Sequence, residues 1–189
     1  DLKRQLAPLG KEEDILRANA KEHLRHVINV APEEGGEYLD PETAMSPGSL
    51  EAALRAVGAA TAAVDAVFTG AVDNAFCALR PPGHHAESRK AMGFCLFNQV
   101  AIAAHYARAR YSAERVAVVD FDVHHGNGTQ EIFWSDPDLF YGSTHQMPLY
   151  PGSGAATETG VGNIFNAPLR AGDGSAQFRD AMRSIILPA

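Results

Sequence analysis

The sequence predicts an α/β fold with a mainly parallel central sheet, on three observations. Short apolar runs of strand length at 75–79 (AFCAL), 116–121 (VAVVDF) and 139–143 (LFYGS) alternate with stretches of helical character, and that alternation is the mark of a parallel sheet. Two of the runs open at their carboxyl ends into histidine-bearing loops, RPPGHH and DFDVHHGNG. In such sheets ligands sit outside the carboxyl ends of the strands. Finally, 189 residues at 46% hydrophobic and 21% charged is about one domain's worth of chain, with enough apolar material for a core.

The elements follow in order. Residues 12–28 read as one helix, acidic in its first turn and basic later, as the helix dipole favours. Residues 31–48, rich in Pro, Gly and Glu, read as loop. Ser49 is placed to cap the next helix, whose apolar positions Leu50, Leu54, Val57, Thr61, Val64 and Phe68 recur at three-four spacing until Gly70. The strand 75–79 follows, then a helix over 96–110, then the strands 116–121 and 139–143, with a last helix near the end. There is no internal repeat and no low-complexity linker.

Composition excludes several classes. The net charge is −7 and no basic run exceeds two residues, so nucleic acid is not an expected direct partner. No apolar run approaches the roughly 20 residues of a membrane span, and the first residues hold no apolar signal core. Two cysteines, Cys77 and Cys95, cannot build a disulfide framework and suit a reducing cytoplasm. The sequence begins without Met and stops at Ile-Leu-Pro-Ala, which reads as a fragment.

The chemistry concentrates in two loops. In an extended chain Asp120, Asp122 and His124 face one way, and Phe121 and Val123 face the other, into packing. Two carboxylates and an imidazole at a strand end suit a divalent cation, zinc in particular. The same short pattern also serves a buried hydrogen-bond network. In RPPGHHAE, Pro81 and Pro82 make a stiff approach, Gly83 permits a bend, and His84 and His85 stand side by side. Two imidazoles in different surroundings can act as acid and base; a simple surface pair is the alternative. Two loops each carrying His-His, in a chain of only 8 His, favour a site over coincidence. His23, His26 and His105 lie in helical stretches and read as surface or packing residues, and Cys95 as a small buried hydrophobe. The run PGSGAATETGVGN opens no helix in the P-loop manner and reads as a rim loop.

Taken together, Arg80-Pro81-Pro82-Gly83-His84-His85-Ala86-Glu87, Gly93-Phe94-Cys95, Asp120 to Gly128, Ser143-Thr144-His145 and Tyr150-Pro151-Gly152 resemble the histone deacetylase family. The likeness is to its bacterial class II-like and acetylpolyamine-amidohydrolase members, and it covers roughly residues 12–183. The resemblance implies a three-layer arginase/deacetylase-like fold. It makes residues 1–189 the central part of one catalytic domain, lacking the family's opening strand and its later part.

By position it makes Asp122 and His124 two of three zinc ligands, with one zinc per full-length chain, and His84 and His85 the catalytic pair. Asp120 then orients His84, and Asn127 stands behind His85 where many members have aspartate. Gly93 and Phe94 form one wall of a substrate tunnel, with Tyr150 opposite. A structural potassium ion falls to Asp120, Asp122, His124, Ser143 and Thr144, largely through backbone oxygens. A second monovalent site falls near Phe133, Asp136 and Leu139, where Asn163 departs from the usual aromatic residue.

The implied activity is zinc-dependent removal of acetyl groups from N-acetyl-lysine side chains or acetylpolyamines, in the cytoplasm, with homo-oligomers an open option. The family's third zinc ligand and oxyanion tyrosine have no counterpart after Asn163, so this piece alone is expected to be inactive or nearly so. A two-metal arginase-like hydrolase is the rival enzyme, separable by metal count. A non-catalytic acetyl-lysine or acetylpolyamine binder is the rival outside catalysis.

Overall fold

A computed structural model describes residues 2–189. The chain forms two compact units, Asp1–Ala113 and Glu114–Ala189.

The first unit is helical. α1 (Glu12–Ile15) and α2 (Lys21–Asn29) replace the single helix expected over 12–28. The break is made by polar demand. Asn19, 2% exposed, donates through Nδ2 to the carbonyl of Glu87 and accepts the amide of Asn98 on Oδ1. Ala20 turns extended and donates its amide to Ser88. Within the expected loop, β1 (Glu37–Tyr38) and β2 (Ala44–Met45) pair antiparallel. Their turn is held by the Asp40 carboxylate, which accepts from the amides of Glu42 and Thr43.

α3 (Ser49–Phe68) ends at Thr69 with Gly70 in the left-handed region, as the sequence predicts. Its start differs. Gly48, at φ 86°, takes the cap position, and Ser49 instead accepts the amide of Ser46 through its hydroxyl. The buried stripe is also narrower than the apolar one. Ala53, Ala56, Val57 and Ala60 are buried, whereas Phe68 is exposed. Small residues there let α4 (Gln99–Tyr111) pack closely through Ala101, Ile102, Ala104 and Ala107. Tyr106 and Tyr111 of α4 both donate to the Asp65 carboxylate of α3.

Residues 75–79, expected as a strand, are irregular and exposed, Phe76 by 91%. A strand exists through its partner's hydrogen bonds, and none of the described residues forms a ladder with this run.

The second unit holds a three-stranded parallel sheet in the order β3 (Val116–Asp120), β4 (Leu139–Gln146), β5 (Ile164–Leu169). α5 (Asn127–Phe133) lies on the β3-to-β4 crossover, and α6 (Ser175–Ala181) runs on into a π-helical turn, Met182–Ile186. The two faces of β4 differ because side chains alternate. Phe140 stacks on Phe165 and, with Leu169 and Met182, packs against Ala167, Ala181 and Ile186. The opposite face carries Tyr141, Ser143 and His145, all buried. That polar, sealed face is where the site chemistry collects.

Candidate active site

The first unit carries its candidate residues on the loop 80–95. The carbonyl of Gly83 accepts the amide of Ala86 at 3.0 Å, so His84 and His85 occupy the two central positions of a β-turn. Their ring centroids are 4.0 Å apart and tilted by 44°. His85 is 4% exposed, and His84 is partly open. Side chains from the start of α4 clamp this turn. Gln99 Nε2 donates to the carbonyl of Pro81, and Asn98 Nδ2 to that of Ala86, while Asn98 Oδ1 caps α4 on the amide of Ala101. A Cβ on Gly83 would stand 2.0 Å from Gln99 Oε1, so the clamp needs glycine there.

Gly93 and Phe94 form a second tight turn, closed by paired bonds between Met92 and Cys95. Both central residues have positive φ, 56° and 66°, the geometry of a type I′ turn. For phenylalanine that conformation costs roughly 1–2 kcal/mol. The hydroxyl of Thr43 accepts the Phe94 amide at 3.1 Å, and the ring is left 63% exposed. Phe94 is thus a strained, tethered and exposed aromatic. A Cβ on Gly93 would lie 2.4 Å from His85 Cδ2, so glycine is the residue that admits the imidazole. Cys95 is fully buried, as expected.

The second unit carries its candidate residues in the loop after β3. The extension does not continue past Asp120. Instead the Asp120 carboxylate accepts the amide of Asp122, and Asp122 Oδ1 accepts the amide of His124. These turns reverse one expectation: Phe121 and Val123 are exposed, by 74% and 51%, rather than packed. His124 Nδ1 and Asp122 Oδ1 converge to 3.1 Å on a half-open surface. Tetrahedral zinc with ligand bonds of about 2.0–2.2 Å sets neighbouring donors roughly 3.3 Å apart. The pair therefore fits one shared divalent cation. Among the described residues, no group of three or more His, Cys, Asp and Glu gathers at one point. Tyr150 stands edge-on to the His124 ring at 6.3 Å.

Behind the pair lies a buried network that the sequence did not disclose. Tyr141 donates to Asp120 Oδ2 and accepts the amide of Gly126. Burial, then the Asp120 charge, raises its phenol well above the usual value. His125, 1% exposed, sits 2.8 Å from the Ser153 hydroxyl and 3.1 Å from Gln130 Oε1. Burial, then the neighbouring His145, lowers its pKa to about 4; burial lowers His145 as well. His145 itself lies 2.9 Å from the Ser143 hydroxyl and 3.0 Å from the Gly154 carbonyl. Glu158 accepts from Gln130, Gly154 and Ala155. Burial raises its pKa, but these bonds outweigh it and hold the carboxyl below its usual range. Asn127, buried, opens α5 and donates its backbone amide to His125. Among the helical histidines, His23 is buried with its Nε2 2.8 Å from the Leu96 carbonyl, a packing role, and His26 is exposed.

Asn163 also departs from a routine packing role. Its Nδ2 donates toward three main-chain carbonyls, of Phe133, Asp136 and Leu139, at 2.9, 2.9 and 2.7 Å.

The chain is similar to proteins of one family. The histone deacetylase domain model matches residues 4–189. The chain is 43% identical over 188 residues to a histone deacetylase-like amidohydrolase of Pseudomonas aeruginosa, covering 97% of this chain and 49% of that protein. It is 46% identical over 175 residues to an uncharacterized protein of Synechocystis sp., covering 92% and 57%. A crystal structure of the HDA15 HD domain superposes with a TM-score of 0.82 at 40% identity, covering 86% of this chain and 47% of that one. The chain spans about half the length of the curated relatives it matches. Its fold is the arginase/deacetylase α/β fold, and the chain belongs to the histone deacetylase family.

Proposed function

We propose that the protein to which this chain belongs is a zinc-dependent amidohydrolase that removes acetyl groups from N-acetyl-lysine side chains or acetylpolyamines. The observation that carries this reading is the 3.1 Å convergence of Asp122 and His124 at the end of β3. A carboxylate and an imidazole at that spacing would hold zinc, together with a third ligand. Zinc held there would supply polarisation of the amide carbonyl and acidification of a water at neutral pH.

The chain's own residues do the rest. His85, dry and fixed by the β-turn, takes the proton of the attacking water. The His84–His85 pair then returns a proton to the departing amine, and each such transfer is typically worth about 10²–10⁴-fold. Asp120 orients His84, and Tyr141 in turn fixes the Asp120 carboxylate. Asn127 takes the family position assigned to the partner of His85 and brings no negative charge, so His85 would be a weaker base than with aspartate at that position. Gly93, Phe94 and Tyr150 line the slot for the aliphatic stem, whose methylenes gain from burial against aromatic walls. The potassium assignment to Asp120, Asp122, His124, Ser143 and Thr144 rests on oxygen-rich chemistry and on Ser143 pairing directly across from Asp120 in the sheet.

The test uses the full-length protein on an acetyl-lysine peptide and on acetylputrescine, with and without a zinc chelator, beside metal analysis. Activity on at least one substrate, abolished by the chelator, with one zinc per chain, is expected. Chelator-resistant activity, or a pair of metals per chain, would sink the reading. Asn127→Asp should move the limb of the pH–rate profile assigned to His85 upward; an unmoved limb rejects the role given to Asn127.

A further inference from the structure

The three carbonyls around Asn163 form a cage with a peculiar occupant. Each oxygen lies 2.7–2.9 Å from the one nitrogen, Asn163 Nδ2. An amide NH₂ has two hydrogens, so three acceptors at that range exceed what it can serve with straight bonds. Three convergent backbone oxygens are instead the kind of shell that replaces the hydration of a monovalent cation.

The cage is built by the chain, not by chance rotamers. Phe133 ends α5, Asp136 lies in the turn that follows, and Leu139 opens β4. The amide of Asp136 donates to Phe133 and the amide of Leu139 to Asp136, so the backbone coils around the point where its oxygens meet. The orientation of the amide is fixed as well. Asn163 Oδ1 accepts the amide of Val161 at 3.1 Å, and flipping the group would set its oxygen against the three carbonyls. Asn163 is 5% exposed.

We infer that the Asn163 amide replaces a monovalent cation at this cage: the chain takes no ion there, and loss of the amide would turn the cage into a potassium-class site. The end of the sheet tied by Phe133, Asp136, Leu139 and Asn163 is thereby independent of salt composition. This does not rest on the proposed deacetylase activity, since the cage lies at the amino ends of β4 and β5, whereas Ser143 and His145 lie toward the carboxyl end of β4.

Two variants and one soak test it. Asn163→Ala empties the cage, and Asn163→Asp puts a carboxylate against three carbonyls. Melting is followed in potassium chloride and in choline chloride at equal ionic strength. Potassium should raise the melting temperature of either variant by about 4 °C more than it raises that of the parent, the shift expected with the ion at roughly twentyfold its dissociation constant. Crystals soaked in thallium(I) should show an anomalous peak at the cage in the variants and none there in the parent. A thallium peak at the cage of the parent overturns the inference whether or not either variant folds. So does a folded variant whose potassium response equals the parent's.

Discussion

In the loop around His85, support comes from far along the chain. Asn19 and Asn98, 79 positions apart, tie down its backbone, and Gly93 packs flat against the ring. In the loop around His124, Tyr141 and Gln146 of the neighbouring strand hold Asp120 and Val123, but the bonds that turn the chain towards the imidazole come from the next residue but one. Asp120 holds Asp122, and Asp122 holds His124. The first imidazole is almost wholly buried and the second is half open. The difference follows the work proposed for each. A proton-transferring base needs fixed geometry and exclusion of water, which long-range packing provides. A metal-ligand pair needs to reach an ion, whose own bonds complete the ordering.

If that contrast is right, the largest effect should come from Gly93→Ala. The substitution adds a left-handed penalty of roughly 1–2 kcal/mol to an overlap with His85 costing about 1–3 kcal/mol. A loss of roughly 3–4 kcal/mol in urea unfolding is expected, with activity of the full-length protein down at least about 100-fold. An unaffected variant would mean the glycine contact does not position His85.

Next comes acid. His125 takes its proton near 4 when folded and near 6.5 when unfolded. A depressed histidine pKa means the unfolded state binds the proton first, so stability falls as pH drops from about 6.5 towards 4 and levels below that. The expected loss is about 3 kcal/mol at most, read from urea midpoints between pH 7.5 and 4. His125→Gln should flatten most of that slope. Asp122→Ala should weaken zinc binding of the full-length protein by roughly 100-fold or more, following the scale of metal-site losses. It should change folding by about 1 kcal/mol or less, because the pair is half exposed. A large folding defect would place Asp122 in the architecture rather than at the ion. Smallest is Phe94→Gly, which relieves the turn and should raise stability by about 1 kcal/mol while raising KM for substrate with little change in kcat.

Much of the site was legible because its residues are adjacent in sequence. His84 with His85, and Asp120 with Asp122 and His124, declare themselves by spacing. Their supports do not, because Thr43, Asn98, Tyr141, Gln130 and Glu158 meet their partners only through the fold. The fold was legible where periodicity was strong, as in α3 and β4. β5 went unread because Asn166 and Pro168 interrupt its apolar pattern. Asn166 donates its Nδ2 to Gln130 Oε1, and the proline is tolerated because β5 is the outer strand of the three. The misread run 75–79 shows the converse: apolar composition without a ladder partner leaves no strand.

The hydroxyl of Thr43 reaches an amide 51 positions later, and Thr43 is itself steered by the Asp40 turn. A substitution or a change of length in that small hairpin would therefore re-aim the Phe94 ring without touching any residue near it. The direction of that exposed ring is thus set by a segment half a hundred positions away, and a change in hairpin length is a way to turn it while leaving the Gly93–Phe94 turn untouched.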